Sequence, residues 1–237
     1  MATKENYWET WQKLIEVAAK FQEILPDAIL VGGSGTSVHL RHRFSFDADH
    51  IMENLSEKFE ETLEFLENNE LWQTARINPP KIILGNFHGV ETGLRQLKRE
   101  NPLEIEKKNI KGNVVTVPTI SEMIRIKGWM IISRNALRDY LDFAALCYHN
   151  GIEKSAQALK NFNDYYYDLK RGKDVSPLFQ LTKQLAEPKP HDLTKNMESE
   201  DKLHYKGIQP PFDSWNKIKN ICREISVNLM FFIQRED

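Results

Sequence analysis

The chain has little of three things that would mark its class at once: cysteine, charge of one sign, and long apolar runs. Two cysteines occur in 237 residues, Cys147 and Cys222, each in an apolar helical context. That is too few for a disulfide-stapled secreted scaffold, and both are expected to be reduced thiols in a core. Acidic residues number 34 and basic residues 32, for a net charge of −2. No overall field therefore draws the chain to nucleic acid or to an anionic membrane. No apolar run approaches the ~18 residues of a membrane span. The opening residues, with Lys4, Glu5 and Glu9, lack the apolar centre of a secretory leader. Together these absences lead to the expectation of a soluble, cytoplasmic protein without a membrane partner. What is present is an ordinary globular balance, 41 % hydrophobic and 28 % charged, enough for one large domain or two small ones.

Apolar spacing of three and four over 7–24 (Tyr7, Trp11, Leu14, Ile15, Ala18, Phe21, Ile24) predicts an amphipathic helix stopped by Pro26. Ala28 to Val31 reads as a short buried strand, ended by Gly32-Gly33, with a helix over 36–42. A second strand is predicted over 44–52 and a helix over 55–66. Strands over 81–87 and 90–97 meet at His88-Gly89, which suits a tight turn, and another runs over 113–117. Beyond Pro118 the pattern is helical: 119–148, 152–169, 176–186 and 213–234. Between the last two lies "PKPHDLTKNMESEDKLHYKGIQPPFD", too long for an ordinary connection and so expected to be mobile or a functional flap. The outline is an α+β domain over 1–118, a small mixed sheet with flanking helices, followed by a helical domain over 119–237.

The stretch "VGGSGTSVHLRHRFSFDADHI" combines a glycine turn with two aspartates separated by one alanine. A phosphate-binding Walker loop needs a lysine in the turn, and there is none. A dinucleotide fingerprint needs glycine where Val38 stands. A calcium loop needs a ligand and a glycine at Ile51 and Met52. A fourth reading fits. Gly32 and Gly33 let the backbone approach an anion, the following helix offers its free N–H groups, and Ser34 adds a hydroxyl. On a strand, Asp47 and Asp49 share a face at about 6–7 Å between Cβ atoms, with Phe44, Phe46 and Ala48 on the core side. Carboxylates so placed suit a pair of Mg²⁺ (or Mn²⁺) ions about 3.5–4 Å apart. Such a site wants a third acid. Glu91 is preferred, because its strand can lie beside that of Asp47, with Glu104 and Glu106 as rivals. The spacing of His39, His42 and His50 fits no usual zinc pattern.

Further along, a helix opens at Thr119 with a capping box to Glu122. Its apolar stripe is Ile120, Met123, Ile124 and Ile131, and Lys127 falls in the middle of it. A lysine facing inward must pair with a buried acid or bind an anion, and phosphate is the reading favoured here. If the helix runs on unbroken, Arg134 and Arg138 lie on nearly the same side, and Arg138 is spaced to pair with Asp142. Arg95, Lys98, Arg99, Lys107, Lys108 and Lys111 form a local basic cluster, either a solvated face or an RNA or partner surface.

The first stretch resembles the glycine turn and Asp-x-Asp motif of the nucleotidyltransferase superfamily. His42, Arg43, Ser45, Asp47 and Asp49 resemble most the AbiEii/AbiGii-type toxin branch. The stretch 118–146 is similar to that branch's helical motif, with Lys127, Arg134, Arg138, Asp139 and Asp142 at matching positions. Met130 departs from it, standing where the branch has a small residue. The resemblance implies a nucleotidyltransferase-like fold and transfer of a nucleotidyl group from an NTP to an acceptor hydroxyl on RNA, tRNA or protein. It implies catalysis by Asp47, Asp49 and Lys127, with metal on the two aspartates and on the third acid, for which strand adjacency prefers Glu91. Nucleotide would contact Gly32, Gly33, Ser34, Arg43, Ser45, Lys127, Arg134, Arg138 and Asp142. It further implies a toxin with a cognate antitoxin. The alternative is a module of the same fold that binds nucleotide or a partner without turnover.

Overall fold

In the computed structural model, which describes residues 4–169 and 175–233, the chain divides into two compact units, Met1–Pro118 and Thr119–Asp237. The first opens with α1 (Lys4–Ile24), β1 (Ile29–Leu30), α2 (Gly32–Leu40), β2 (Asp47–Met52) and α3 (Phe59–Glu67). β3 (Trp72–Asn78), β4 (Ile82–Phe87), β5 (Val90–Gln96), β6 (Ile105–Ile110) and β7 (Asn113–Pro118) follow. Five strands form one mixed sheet in the order β1-β2-β5-β4-β3, and β6 and β7 form a separate hairpin. Within the sheet only β2 and β5 are parallel. This is the mixed α+β class expected from the sequence.

The amphipathic pattern of α1 is realised: Trp11, Leu14, Ile15, Ala18 and Phe21 are buried. They share one core with Ala48, Met52, Ile83, Phe87 and Leu94 of the sheet and with Val115 and Val117 of β7. Each large apolar side chain so buried stabilises the unit by roughly 1.5–3 kcal/mol relative to exposure. Gln22 imitates a strand neighbour. Its amide donates to Thr116 O at 2.8 Å and accepts from Thr116 N–H at 2.7 Å, satisfying backbone groups of β7 that the hairpin leaves open.

The sheet differs from expectation at its margins. β2 begins at Asp47 rather than at 44, and β1 keeps two residues of the expected four. α2 starts at Gly32 itself, four residues ahead of the reading. β3 and β6 were not foreseen.

The second unit is helical: α4 (Ile120–Arg134), α5 (Leu137–Asn150), α6 (Ile152–Leu159), α7 (Phe162–Tyr166), α8 (Pro177–Ala186), α9 (Lys195–Ser199) and α10 (Trp215–Ile233). Thr119 caps α4 by accepting from Glu122 N–H at 3.2 Å. The helix expected over 119–148 is broken, because Asn135 adopts φ 50° and ends α4 in a left-handed cap. The helix expected over 152–169 likewise divides into α6 and α7. Position 234, the expected end of the last helix, lies outside the described residues. The long polar stretch before α10 is hydrogen-bonded to its surroundings. Asp192 accepts from Leu137 N–H at 2.6 Å, Asn135 donates to Lys189 O at 2.7 Å, and Leu203 is buried. Cys147 and Cys222 are free and buried, and burial holds both thiols protonated, well above the ordinary range.

Candidate active site

Burial along β2 alternates: Ala48, His50 and Met52 are buried, while Asp47, Asp49 and Ile51 are half-buried. The apolar alternate residues turn into the core and so present both aspartates on the opposite face. β5 lies parallel beside them, in the register Asp47↔Glu91, Asp49↔Gly93 and Ile51↔Arg95. Register partners share a face, so Glu91, Gly93 and Arg95 continue the surface that carries the aspartates.

Small residues shape the ground around Asp49. A Cβ on Gly93 would lie 2.6 Å from Asp49 Oδ1, so the carboxylate occupies the volume a side chain would take. On the other side Gly32, at φ +67°, brings the start of α2 against the same residue; a Cβ there would meet Asp49 Cβ and Oδ2 at 3.5 Å. Val31 N–H donates to Asp49 O at 2.8 Å, which fixes the turn to the strand. No side chain caps α2 from its N-cap position, Val31, and the positive end of the helix dipole lies at this turn.

The neighbours of Asp47 orient it. Ser45 Oγ donates a short hydrogen bond to Asp47 Oδ1. Ser34, expected to offer its hydroxyl to an anion, is buried and donates to Asp47 O at 2.5 Å. It braces the strand, and its one proton is committed there. Arg43 is also buried. A Cβ on Gly33 would lie 2.7 Å from its Nη2 and from Ser45 Oγ, so both side chains pack beneath the turn.

The rival acids are elsewhere. Glu106 lies on β6, 2.7 Å from Lys108 and 3.9 Å from His39; Glu104 precedes that strand and is exposed. Glu91 is the candidate the fold sets next to Asp47. Carboxylate oxygens on one half-exposed face suit a hard divalent cation, and Asp47 with Asp49 fit that description. Among the described residues, however, no three His, Cys, Asp or Glu side chains are gathered as a metal-holding group. Glu91 is thus adjacent by register without converging on the pair. His50, on the reverse face, is buried against Phe21; desolvation, partly offset by the backbone of Ala48 and Gly93, pushes its pKa down to about 4.

The remaining candidates belong to the second unit. Lys127 is 3 % exposed and donates to Asp142 Oδ2 at 2.7 Å, with Asp139 Oδ1 at 3.6 Å. Arg134 clamps Asp139 with two hydrogen bonds of 2.6 and 2.7 Å. The buried acid weighed against phosphate for Lys127 is therefore present, and Asp142 is its partner. Arg138, past the break at Asn135, is exposed. The expected basic cluster is uneven as well: Arg99 is buried and donates to Asn101 O and Pro102 O, whereas Lys111 is exposed beside the Trp8 ring. Sequence reasoning missed Gly93 and the reach of Arg95. Gly93 stands in "VETGLR" as an isolated glycine inside a strand pattern, a known sign of close approach.

No family model matches the chain. Among curated proteins it is 28 % identical over 134 residues to a probable transport protein MmpL11 of Mycobacterium bovis and to the heme uptake protein MmpL11 of Mycobacterium tuberculosis. The match takes in 56 % of this chain and 13 % of those proteins, too small a share to establish a family. Among the described residues no helix is long and apolar enough to cross a membrane. Among solved structures, the antibiotic-resistance factor ANT(2'')-Ia aligns with TM-score 0.48 and 14 % identity over 68 % of this chain and 93 % of its own. An antigenic nucleotidyltransferase-like protein from Paracoccidioides brasiliensis aligns with TM-score 0.46 and 15 % identity, over 66 % and 88 %. Likenesses of this size leave function to be argued from the site itself.

Proposed function

We propose that the first unit transfers a nucleotidyl group from an NTP to an acceptor hydroxyl. The observation that supports this best is the convergence at Asp49: two same-face aspartates on β2, the bare Gly93 beside them, and the Gly32 turn opening α2 against them. In this reading Asp47 and Asp49 would hold Mg²⁺ or Mn²⁺, and Glu91, next to Asp47 by register, would have to turn toward the pair to complete the set. The bound cation supplies charge neutralisation for the phosphates and for the attacking oxygen. Ser45 fixes the carboxylate of Asp47. The N–H groups that begin α2 receive the leaving phosphates. Ser34 and Arg43 hold the turn and strand in place from below. Glu91, exposed on β5, accepts the proton of the acceptor hydroxyl. The sequence resemblance extends the reading to an acceptor on RNA, tRNA or protein and to a toxin countered by an antitoxin.

The test is incubation of the full chain with each α-labelled NTP, Mg²⁺ or Mn²⁺, and total RNA or protein. Label in the acceptor that is lost in Asp47→Asn and Asp49→Asn supports the proposal. Absence of transfer with every NTP and acceptor class overturns it. The ungathered position of Glu91 favours a second reading, a module that binds nucleotide without turnover. Its signature is an NTP-dependent rise in melting temperature with no transfer of label.

A further inference from the structure

Arg95 shares the face of β5 that carries Glu91 and Gly93, and its register partner is Ile51. Its side chain does not stay opposite Ile51. The guanidinium runs diagonally back, placing Nη2 3.4 Å from Asp49 Oδ1. Gly93 makes this approach available, since a Cβ there would collide with the carboxylate oxygen at 2.6 Å. The contact is loose. Its length exceeds the roughly 2.7–2.9 Å of a strong charge-assisted hydrogen bond. Both partners are open to water, with side chains 43 % and 31 % exposed for Arg95 and Asp49. Arg134 is also partly exposed, yet it engages Asp139 with two short bonds to a fully buried carboxylate. A single long contact to a half-exposed oxygen is one that another cation can replace.

We propose that Arg95 is the resident counter-ion of Asp49, neutralising the carboxylate above Gly93 until a divalent cation displaces it. The inference rests on the metal reading of Asp47 and Asp49. Arg95 then sets how tightly the site binds its ion, because a fixed positive charge competes with the metal for the same oxygen and repels it. An exposed ion pair is weak, so the competition tunes affinity without closing the site.

The measurement is Mn²⁺ binding to the full chain, followed by calorimetry and by the electron paramagnetic resonance signal of the free ion. Circular dichroism verifies the fold of each variant. Arg95→Met should bind Mn²⁺ about three- to fivefold more tightly than wild type, and Arg95→Lys, which keeps the charge, within about twofold of it. Unchanged affinity in Arg95→Met overturns the proposal while leaving the metal reading intact. Weaker affinity overturns it too, by making Arg95 a group that positions Asp49. If no variant binds Mn²⁺, or Asp49→Asn binds as well as wild type, the metal reading fails and this inference fails with it.

Discussion

The two units each carry a pair of aspartates close in sequence, and the pairs are treated in opposite ways. Asp139 and Asp142 lie on α5 with no exposure, and each has a short bond to its own cation, Arg134 and Lys127. Asp47 and Asp49 lie half-exposed on β2, given a serine hydroxyl and one loose arginine. A buried carboxylate without a partner costs several kcal/mol, so the helical pair has to be complemented for the unit to fold. The strand pair stays in contact with water, and folding does not require its neutralisation. It therefore carries negative charge that a bound cation can take up. Satisfaction of charge separates a structural acid pair from one available for chemistry.

The largest expected effect tests the exposed pair. Asp47→Asn removes a carboxylate charge from the proposed metal site and should lower label transfer by about a hundredfold or more, with the melting temperature close to wild type. Transfer equal to wild type, with metal still required, would break the contrast at its functional end.

The buried pair should respond in the other currency, stability. Lys127→Met removes the ammonium bonded to Asp142 and one of the two cations beside Asp139. A loss of about 3–5 kcal/mol is expected in urea titrations without ligand. This reverses the near-normal melt that a phosphate role for Lys127 predicts from sequence. An unaltered unfolding midpoint would show that the ion pair is not what holds this part of the second unit.

A third effect concerns the core side of β2. The ordinary His value of 6.5 falls to about 4 for buried His50, so between those values the unfolded chain binds the extra proton and the folded one does not. Stability should therefore fall as pH drops through that window, by up to about 3 kcal/mol from this group. Urea midpoints at pH 7.5 and pH 4.5 should differ more for wild type than for His50→Leu. Equal differences would mean that His50 titrates normally.

How far the sequence carried the reading follows the same divide between local pattern and distant partner. Local signals sufficed for α1, for the shared face of Asp47 and Asp49, and for the His88-Gly89 hairpin turn. β3 escaped because it is an edge strand exposed along most of its length, so "WQTARIN" has no clean alternation to display. β6, "IEKKNI", looks like a charged loop until β7 pairs with it. The break between α4 and α5 depends on Asn135 taking a left-handed conformation, which asparagine tolerates but does not announce. Lys127 was legible as inward-facing, yet whether it met phosphate or carboxylate turned on Asp142 of the next helix. The bond Ser34 makes was hidden for a similar reason: its acceptor, Asp47 O, is thirteen residues away.

That bond supplies the smallest and most discriminating test, because two serines touch the same aspartate at different atoms. Ser45 donates to the carboxylate of Asp47, while Ser34, buried, donates to its backbone oxygen at 2.5 Å. Removing the first hydroxyl frees the carboxylate to rotate but strands no fully buried group. Ser45→Ala should weaken Mn²⁺ binding and transfer by about tenfold, the usual cost of losing a ligand's outer partner, with little change in stability. Removing the second leaves a strand-end carbonyl short of a donor inside the unit. Ser34→Ala should cost about 1–2 kcal/mol of stability and change Mn²⁺ affinity less than Ser45→Ala does. Paired urea and Mn²⁺ titrations on the two variants separate these outcomes. If Ser34→Ala instead lost affinity at full stability, its hydroxyl would belong to the binding site, as the sequence alone suggested. If Ser45→Ala lost stability at full affinity, the carboxylate of Asp47 would be part of the fold's own framework and the contrast between the two acid pairs would fail.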